Sequence, residues 1–578
     1  MLGDVYAEWE FLKDLKLKVS LGMDIMYLKQ NKYTPSNIYQ SLGIASAKVG
    51  VNRSINWLNE NILTWNKTFK DIHSLNILGG FTIQRNNVES VTGASSNFVN
   101  DVMKYNNLGA GSIYDKPESS ATQWSLMSYL ARINYSLYDR YLFSVNGRVD
   151  GSSRFGGNNK YGFFPSGSVA WRISEEGFME PVKAVISNLK LRTSYGFTGN
   201  TEIGVYESLA TLGSNSWTIG NQLVSGFYPN RIPNPDLKWE KTGQFDIGFD
   251  LGLFNNRLRL TADYYYKKTT DLLYNVAIPS ASGYDSMLKN IGSVQNKGYE
   301  LSIESDNLSG AFSWTTAFNI SFNRNKVLEL GGETYKDVGT YDDHLKTSDI
   351  RRLIVGQPIG VFYGYRFDGI FQNEAECAQQ TSSPSPIGVG LRRYKDLNGD
   401  GKIDATNDRE ILGDANPKFF GGMTNTFAYK GFELNVFLQY SYGNKIFNYN
   451  AMELESPTGG QNVYQDLVNR WTPTNPSNEY QKATTNRNNI VSDRFIEDGS
   501  FLKLKTVSLS YSFPKLNWKH LGGLRLYVTG QNLLTWTKYR GYDPEVSYRG
   551  ASTLEAGEDF GGYPQARTFM FGIKLDIK

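Results

Sequence analysis

The sequence predicts an all-β fold, a transmembrane antiparallel β-barrel of the outer-membrane type. Three observations lead to this prediction: apolar and polar residues alternate along many segments, tight turns alternate with long polar loops, and aromatic residues make up 14 % of the chain. Successive side chains of a strand point to opposite faces of a sheet, so an alternating segment has one apolar and one polar face. In an outer-membrane barrel, lipid covers the first face and the lumen the second.

The stretch 236–301 shows the pattern most clearly. The tight turn Asn255-Asn256 leads into an alternating strand, and a polar loop from Tyr274 to Asn290 follows that strand. One face of the strand carries Leu258, Leu260, Ala262, Tyr264 and Tyr266, and the other carries Arg259, Thr261, Asp263, Tyr265 and Lys267. A short turn, a long strand and a long loop are the repeating unit of a membrane barrel.

Similar segments precede this stretch. We predict strands at 5–11, 15–27, 47–69 with a break, and 74–84, followed by a long loop to about Ala121. The turn Tyr138-Asp139-Arg140 separates the next two strands, and 163–174 and 189–200 continue the series. A loop rich in Gly, Ser and Asn then runs from Asn200 to Pro235.

Further strands follow the central stretch. We predict them at 312–322, 361–371, 419–429, 431–443, 502–513, 524–533 and 567–577, separated by irregular segments at 325–356 and 444–498. Leu502 and Leu504 do not share a face with Val507, which predicts a β-bulge between them. The total is about 17 or 18 strands, each close to the ~9–11 residues that cross a bilayer at a tilt. A soluble all-β protein also has alternating strands, but loops this long are unusual in a compact soluble domain.

Charge and composition exclude several other classes. The 60 basic and 57 acidic residues nearly balance, and no basic cluster favours nucleic acid as a partner. A single cysteine, Cys377, excludes an intramolecular disulfide framework. No apolar run reaches the ~18 residues of a membrane-spanning helix. Residues 1–4 are not the start of a signal peptide, so we expect the sequence to be a fragment or a processed product.

No catalytic constellation stands out, and we predict that the protein is not an enzyme. The three histidines are scattered, and adjacent carboxylates on a strand would face opposite ways. These candidates are His73, His344 and His520, and the pairs Glu175-Glu176 and Asp342-Asp343.

One motif has the spacing of a calcium loop, within the hydrophilic segment 373–412. Oxygen ligands at positions 1, 3, 5 and 9, a carbonyl at position 7 and Gly at position 6 describe the first part of an EF-hand loop. The corresponding residues are Asp396, Asn398, Asp400, Asp404, Lys402 for the carbonyl, and Gly401. Position 12 is Asn407 instead of Glu, and Asp408 or Glu410 would have to complete the site. The prediction is a structural Ca²⁺; the alternative is a turn stabilised by Gly, Asn and Asp.

Several segments, in this order, resemble the SusC/RagA family of TonB-dependent outer-membrane transporters from Bacteroidetes-type bacteria. They are NGRVDGSSRFG (146–156), FFPSGSVAWRIS (163–174), LKLRTSYGFTGN (189–200), NPDLKWEKT (234–242), NIGSVQNKGYEL (290–301), VGQPIGVFYGYRFDGIF (355–371), GDANPKFFGG (413–422), DGSFLKLKTVSLSYSFP (498–514), GQNLLTW (530–536), YDPEV (542–546) and YPQARTFMFGIKL (563–575). The resemblance runs over essentially all of 1–578.

The resemblance implies a 22-stranded barrel in the cell outer membrane, with an N-terminal plug and a TonB box. This sequence matches the barrel portion, and we expect the plug, the first strands and the contact with TonB to lie outside it. The implied partners are a SusD-like surface lipoprotein, TonB, outer-membrane lipid and an oligosaccharide or peptide substrate. Two other functions stay open at this point: a soluble calcium-containing carbohydrate-binding β protein and a passive porin.

Overall fold

The computed structural model describes residues 1–339, 350–456, 462–485, 489–513, 521–545, 547–550 and 552–577. Within these ranges, 18 strands belong to one sheet, which confirms the predicted all-β class and the count of 17 or 18 strands. No helix in the same ranges is long and apolar enough to cross a membrane. The predictions for His344, His520 and the pair Asp342-Asp343 fall outside the described residues.

Strands and helices are numbered in chain order. The first strands are β1 (Leu2–Leu12), β2 (Leu15–Thr34), β3 (Ser46–Phe69), β4 (His73–Phe98), β5 (Gly111–Tyr114), β6 (Glu118–Leu137), β7 (Tyr141–Ser152), β8 (Tyr161–Arg172), β9 (Ile186–Asn200), β10 (Thr211–Ile219), β11 (Gln222–Arg231), β12 (Glu240–Leu253), β13 (Leu258–Thr270), β14 (Leu273–Ala277) and β15 (Ser286–Asn290). The remaining strands are β16 (Ser293–Leu308), β17 (Phe312–Glu329), β18 (Tyr335–Val338), β19 (Arg351–Ile354), β20 (Val361–Tyr365), β21 (Phe367–Ile370), β22 (Arg392–Tyr394), β23 (Arg409–Asp414), β24 (Phe419–Tyr429), β25 (Phe432–Tyr442), β26 (Lys445–Asn448), β27 (Ile496–Asp498), β28 (Phe501–Ser512), β29 (Leu521–Thr537), β30 (Glu558–Asp559) and β31 (Thr568–Ile577). Two short helices are α1 (Glu374–Cys377) and α2 (Tyr449–Leu454).

The chain forms two compact units. The first comprises residues 1–172, 192–245 and 269–291. Its sheet strands pair antiparallel in the order β1–β2–β3–β4–β6–β7–β8. The turn predicted at residues 138–140 is confirmed: Tyr138 and Asp139 both have left-handed φ angles, 54° and 53°, which suit the twist of a tight hairpin.

Four strands of the first unit are longer than predicted. β2, β3, β4 and β6 have 20, 24, 26 and 20 residues, against the ~9–11 that a bilayer requires. The predicted break in 47–69 and the predicted loop from 85 to about Ala121 are therefore wrong. β4 continues to Phe98 because its backbone pairs in register with β3 and β6, and water on both faces removes the need for alternation.

Two predicted loops also contain strands. β10 and β11 form a hairpin within 200–235, and β14 pairs with β15 within 274–290. Their residues are mostly polar or mixed, so alternation did not reveal them. Glu175, predicted as half of a carboxylate pair on a strand, lies in a short 3-10 helix instead.

A small aromatic core sits beside the strand ends of the first unit. Leu237 is fully buried, and the Trp239 ring lies 4.9 Å from that of Phe155 and 5.3 Å from that of Phe164. The Trp239 indole N–H donates to the carbonyl of Lys160 at 3.0 Å. The segment 234–242 thereby fastens the loop between β7 and β8.

The second unit comprises residues 173–191, 246–268 and 292–578, apart from the undescribed stretches within the last range. Its strands pair antiparallel in the order β16–β17–β24–β25–β28–β29–β31. The register shifts between Leu504 and Thr506, which confirms the predicted bulge. The turn from β24 to β25 requires glycine at Gly431: its φ is 88°, and a Cβ would come within 2.7 Å of the Ser512 carbonyl oxygen.

The aromatic core of the first unit gives a direct test. Trp239→Ala removes the ring that packs on Phe155 and Phe164, a class of change that costs ~3–5 kcal/mol. We expect protease to cleave the folded protein within 153–160 much faster than it cleaves the wild type. Trp217→Ala, at a half-exposed ring, is the matched control and should leave the cleavage rate unchanged. Equal cleavage of both variants would contradict the role assigned to Trp239.

Candidate functional site in the long loops

Three long connections of the second unit leave the sheet at the same end. The antiparallel pairings place the end of β17, the start of β24, the end of β25, the start of β28 and the end of β29 side by side. We call the connections loop A (330–418), loop B (443–500) and loop C (538–567), and their described parts together the loop layer. The turn from β24 to β25 lies at the opposite end and has only two residues.

The loop layer has its own hydrophobic core. Side chains from loops A and B form a buried cluster, and Phe560 of loop C packs against it. The Phe362 and Phe447 rings are 6.1 Å apart, and the Tyr449 and Phe560 rings are 5.8 Å apart. The buried members are Ile350, Phe362, Phe447, Tyr449, Ala451, Met452, Val491 and Phe495. Burying one such side chain is worth ~1.5–3 kcal/mol, so these loops behave as a folded layer.

A buried ion pair joins loop A to loop C. Arg351 and Glu558 are each about 1 % exposed, and the guanidinium Nε donates to the Glu558 carboxylate at 3.0 Å. Arg351 also donates to the carbonyls of Gly360 and Ala556, and its guanidinium lies 4.2 Å from the Phe362 ring centre. Burial raises the pKa of Glu558, and the positive charge of Arg351 opposes that rise. Removing either partner would leave a buried charge uncompensated.

A second buried carboxylate joins loop B to loop C. Glu455 accepts from Arg494 at 2.8 Å and from Arg540 at 3.2 Å, and it is 1 % exposed. Arg540 also donates to Glu497 at 3.0 Å. The guanidinium of Arg494 faces the ring of Tyr480 at 4.9 Å. Because both arginines and both carboxylates are paired, the two loops hold one relative arrangement.

A third ion cluster fixes loop C to strand β28. The ammonium of Lys503 is 2.6 Å from Asp543 and 2.6 Å from Glu545, and Lys505 is 3.0 Å from Glu545. The side-chain amide of Gln439 on β25 also donates to Glu545, at 2.8 Å. Burial acts to raise the pKa of both loop carboxylates, but hydrogen bonds and the charge of Lys503 outweigh it and lower the pKa of each.

The predicted calcium-loop residues come together as a tightly hydrogen-bonded turn. Asp396 accepts from the backbone N–H groups of Gly399 and Gly401 at 2.6 and 2.7 Å. Asp408 is fully buried and accepts from the N–H groups of Leu397 and Asp404, both at 2.8 Å, which ties the two ends of the loop together.

The inner residues of this turn are bonded in the same way. Asn398 accepts from the N–H of Asp400, and Asp400 accepts from the N–H of Lys402. Hydrogen bonds from the backbone of Asn407 and Thr406 lower the pKa of Asp404. Ile403 packs into a cluster with Tyr365 and Tyr394, as a hydrophobic anchor for the turn.

The donor set of the turn suits a hard cation, but backbone N–H groups already occupy its carboxylates. Among the described residues, no three His, Cys, Asp or Glu side chains converge as a metal site would require. The turn geometry therefore accounts for the Gly, Asn and Asp residues without an ion. Calcium binding by Asp396, Asn398, Asp400, Lys402, Asp404 and Asp408 stays a prediction.

The ion pairs of the loop layer were not found by sequence reasoning. Arg351 and Glu558 are 207 residues apart, and Lys503 and Asp543 are 40 apart, so no local spacing links them. The only sequence signal was a charged residue inside an otherwise apolar segment, as at Lys503. Histidine also has a structural environment at His73, whose ring nitrogen is 2.8 Å from the Tyr135 hydroxyl.

The chain is similar to a family model and to named relatives. The family model described as TonB dependent receptor-like, beta-barrel, matches residues 3–375. TonB-dependent receptor P3 of Formosa agariphila is 39 % identical over 583 residues, covering 99 % of this chain and 57 % of the receptor. TonB-dependent receptor SusC of Bacteroides thetaiotaomicron is 30 % identical over 597 residues, covering 99 % of this chain and 55 % of SusC.

A solved structure agrees with these sequence matches. The structure of the RagAB peptide transporter superposes with a TM-score of 0.85 at 26 % identity, covering 99 % of this chain and 61 % of that chain. The chain thus spans a little more than half the length of the curated relatives it matches. These proteins are receptors and a transporter, which supports a non-enzymatic class for the family.

The buried clamp of the turn can be tested by one substitution. Asp408→Asn replaces one acceptor oxygen with a donor that faces a backbone N–H, a loss of ~1–3 kcal/mol. We expect trypsin to cleave the folded protein after Lys402 faster than in the wild type. Asp400→Asn, at an exposed side chain, is the control and should have little effect. Unchanged cleavage of Asp408→Asn would show that the turn does not depend on this carboxylate.

The calcium prediction has a separate test. If the turn binds Ca²⁺, adding the ion should slow cleavage after Lys402, and a chelator should restore the rate. Asp396→Asn together with Asp404→Asn should abolish the protection, because both positions would supply ligands. Equal rates with Ca²⁺ and with chelator would reject calcium binding.

The Lys503 cluster predicts a pH dependence. Asp543 and Glu545 have lowered pKa values, so their stabilising contribution is present above the ordinary values of 3.8 and 4.5 and is lost as the pH falls through the lowered ones. We expect loop C to gain hydrogen exchange in that acid range, after correction for the intrinsic pH dependence of exchange. Lys503→Met should move the change to higher pH, and Lys430→Met, at an exposed turn, should not. An unmoved midpoint in Lys503→Met would contradict this account.

Proposed function

Because the chain belongs to the TonB-dependent receptor-like β-barrel family and is of the SusC/RagA type, we propose that it forms the barrel of an outer-membrane nutrient importer. The observation that supports this most directly is similarity to both SusC and the RagAB transporter over 99 % of the chain. The family is an outer-membrane family, and we place this chain there too. The last strand, β31, fits that location: Phe569, Phe571 and Ile573 are 62, 83 and 68 % exposed on one face, as lipid contact requires.

The proposed substrate is an oligosaccharide or a peptide, captured with a SusD-like surface lipoprotein. The loop layer supports this assignment as a rigid platform, because its core and ion pairs hold three loops in one arrangement. Exposed aromatic side chains project from it: Tyr542 is 79 % and Tyr563 is 89 % exposed. Tyrosine side chains are rigid, amphipathic and well suited to contacts with proteins, peptides and sugars.

Energy for uptake would come from TonB. A barrel of this size has a wide lumen, so a plug must close it and a force must move the plug. We propose that the plug and the contact with TonB belong to the full-length protein, outside this chain. Membership of the family argues against the soluble carbohydrate-binding alternative, and energy dependence separates the importer from a passive porin.

Uptake in cells tests the proposed function. Deleting the full-length gene should abolish growth on one class of nutrient, oligosaccharide or peptide, and leave the other unchanged. Uptake should stop when a protonophore removes the proton gradient, and a surface lipoprotein should co-purify with the tagged importer. Uptake that persists with the protonophore would favour a porin.

The exposed tyrosines of loop C give a residue-level prediction. Tyr542→Ala with Tyr563→Ala should reduce uptake or recovery of the lipoprotein, because the variant removes two aromatic contacts without disturbing the buried core. Phe254→Ala, at a half-exposed side chain in a turn of the second unit, is the control. Normal uptake and normal co-purification in the tyrosine variant would exclude these residues from the proposed interface.

A further inference from the structure

The long strands of the first unit carry an ordered charge pattern on one face. Registered pairing across β2, β3, β4 and β6 sorts their side chains into rows, and no register shift interrupts the pairs. The row through Trp65 begins a face that is mainly apolar along β2. Its β2 members in successive rows are Leu15, Leu17, Val19, Leu21, Met23, Ile25 and Tyr27. This is the face that lipid would cover.

Four consecutive rows of this face contain no charged residue. They run from the row of Ile77 to the row of Ile83 on β4. Lys67 lies in the row below them, near the tight turns, and Arg85 lies in the row above. From Leu75, which pairs with Lys67, to Arg85 is ten residues along β4. At ~3.3 Å per residue and a tilt of ~40°, that distance rises ~25 Å, the height of the apolar band of an outer-membrane barrel.

The next four rows are rich in positive charge. Across all sixteen side chains of these rows there are three cations and one anion, a net charge of 3 − 1 = +2. We call this region the basic face; its charged members are Lys29, Arg53, Glu89 and Arg85. It begins where the uncharged band ends, at the long-loop end of the strands, and its neutral neighbours include Met23, Ile25, Tyr27 and Trp57.

The arginines of the basic face are only loosely neutralised. The Arg53 guanidinium is 3.9 Å from the Glu89 carboxylate, and both side chains are about half exposed, at 47 and 63 %. Such a pair contributes little and leaves the guanidinium able to bind another anion. Arg85 donates to the side-chain oxygen of Gln123 at 2.6 Å, a neutral acceptor.

A cleft of about 270 Å³ opens between these side chains. Arg53, Glu89 and Gln123 line it, together with the edge of β6. Tyr206 closes one side, because its hydroxyl accepts from the backbone N–H of Gln123 at 3.0 Å. Donors therefore surround a cleft at the level where lipid headgroups begin.

We propose that the basic face binds the phosphate-bearing headgroup of an anionic membrane lipid. Guanidinium groups match phosphate oxygens in geometry and charge, and basic side chains next to an anionic membrane surface each add to binding. Acyl chains would then lie on the apolar rows below, next to Trp57 and Met23. The inference rests on the membrane location proposed above, and it adds a ligand that the import function does not require.

Native mass spectrometry of the full-length protein in detergent tests this proposal. Titration with phosphatidylglycerol, which is anionic, should give tighter binding than titration with zwitterionic phosphatidylcholine. Arg53→Gln and Arg85→Gln should each weaken phosphatidylglycerol binding about fivefold, and the double variant about 25-fold. Arg53→Lys with Arg85→Lys should retain most of the binding, and Glu89→Gln should strengthen it.

Arg132→Gln is the matched control, because Arg132 is a nearby arginine on the opposite face of β6. It should bind phosphatidylglycerol like the wild type. Equal binding of the two lipids, or equal binding by the double glutamine variant and the wild type, would overturn the proposal. Inorganic phosphate that binds alone, with the same dependence on Arg53 and Arg85, would also overturn the assignment to lipid.

Folding and transport are followed separately. Heat-modifiable migration on a gel reports whether each variant forms a closed barrel, and nutrient uptake reports the proposed function. A folded double variant with normal uptake and unchanged lipid binding rejects only the lipid site. Loss of uptake in the gene deletion, together with fivefold weaker binding in each arginine variant, supports both conclusions.

Discussion

Backbone hydrogen bonding between antiparallel neighbours is the constraint on which the rest of the structure depends. A bilayer offers no water to an unpaired N–H or C=O group, so a chain that crosses it with strands must pair each strand on both sides. Pairing fixes register, and register fixes which side chains share a face. The unbroken ladder from β2 through β3 to β6 therefore places charged and uncharged rows at defined heights, although the residues come from distant parts of the sequence.

The loop layer solves a different problem with different chemistry. Long loops lack a ladder, and here aromatic packing around Phe447 and buried ion pairs replace it. A buried pair such as Arg351 with Glu558 contributes little net stability, because both ions lose their water. Its effect is on uniqueness: any other arrangement would leave one charge buried alone. Rigid loops suit a surface that must meet a partner repeatedly in the same geometry.

Sequence reasoning predicted those parts of the fold that local periodicity determines. The strand predicted at 419–429 is β24, Phe419–Tyr429, and the bulge near Leu504 follows from a change of alternation. Periodicity failed where water covers both faces, as in the outer part of β4, because no face there has to be apolar. It could not link Lys503 to Asp543, since such a contact depends on which loop folds over which strand. The turn at 396–408 lies between these cases: its spacing predicted a tight Gly and Asp turn correctly, and the same spacing leaves open whether an ion adds to it.

Strand length connects these points. If β3 and β4 ended at the membrane border, their outer residues would be loops, free to vary in position. Because the ladder continues past the uncharged band, Arg53 and Arg85 are held at fixed heights above it, on the side that faces lipid. A rigid row of positive charge beside an anionic membrane surface is favourable when its guanidinium groups bind the headgroups of that surface. The length of the ladder and the position of its charges are therefore explained together by contact with lipid headgroups, and neither is explained by spanning the bilayer alone.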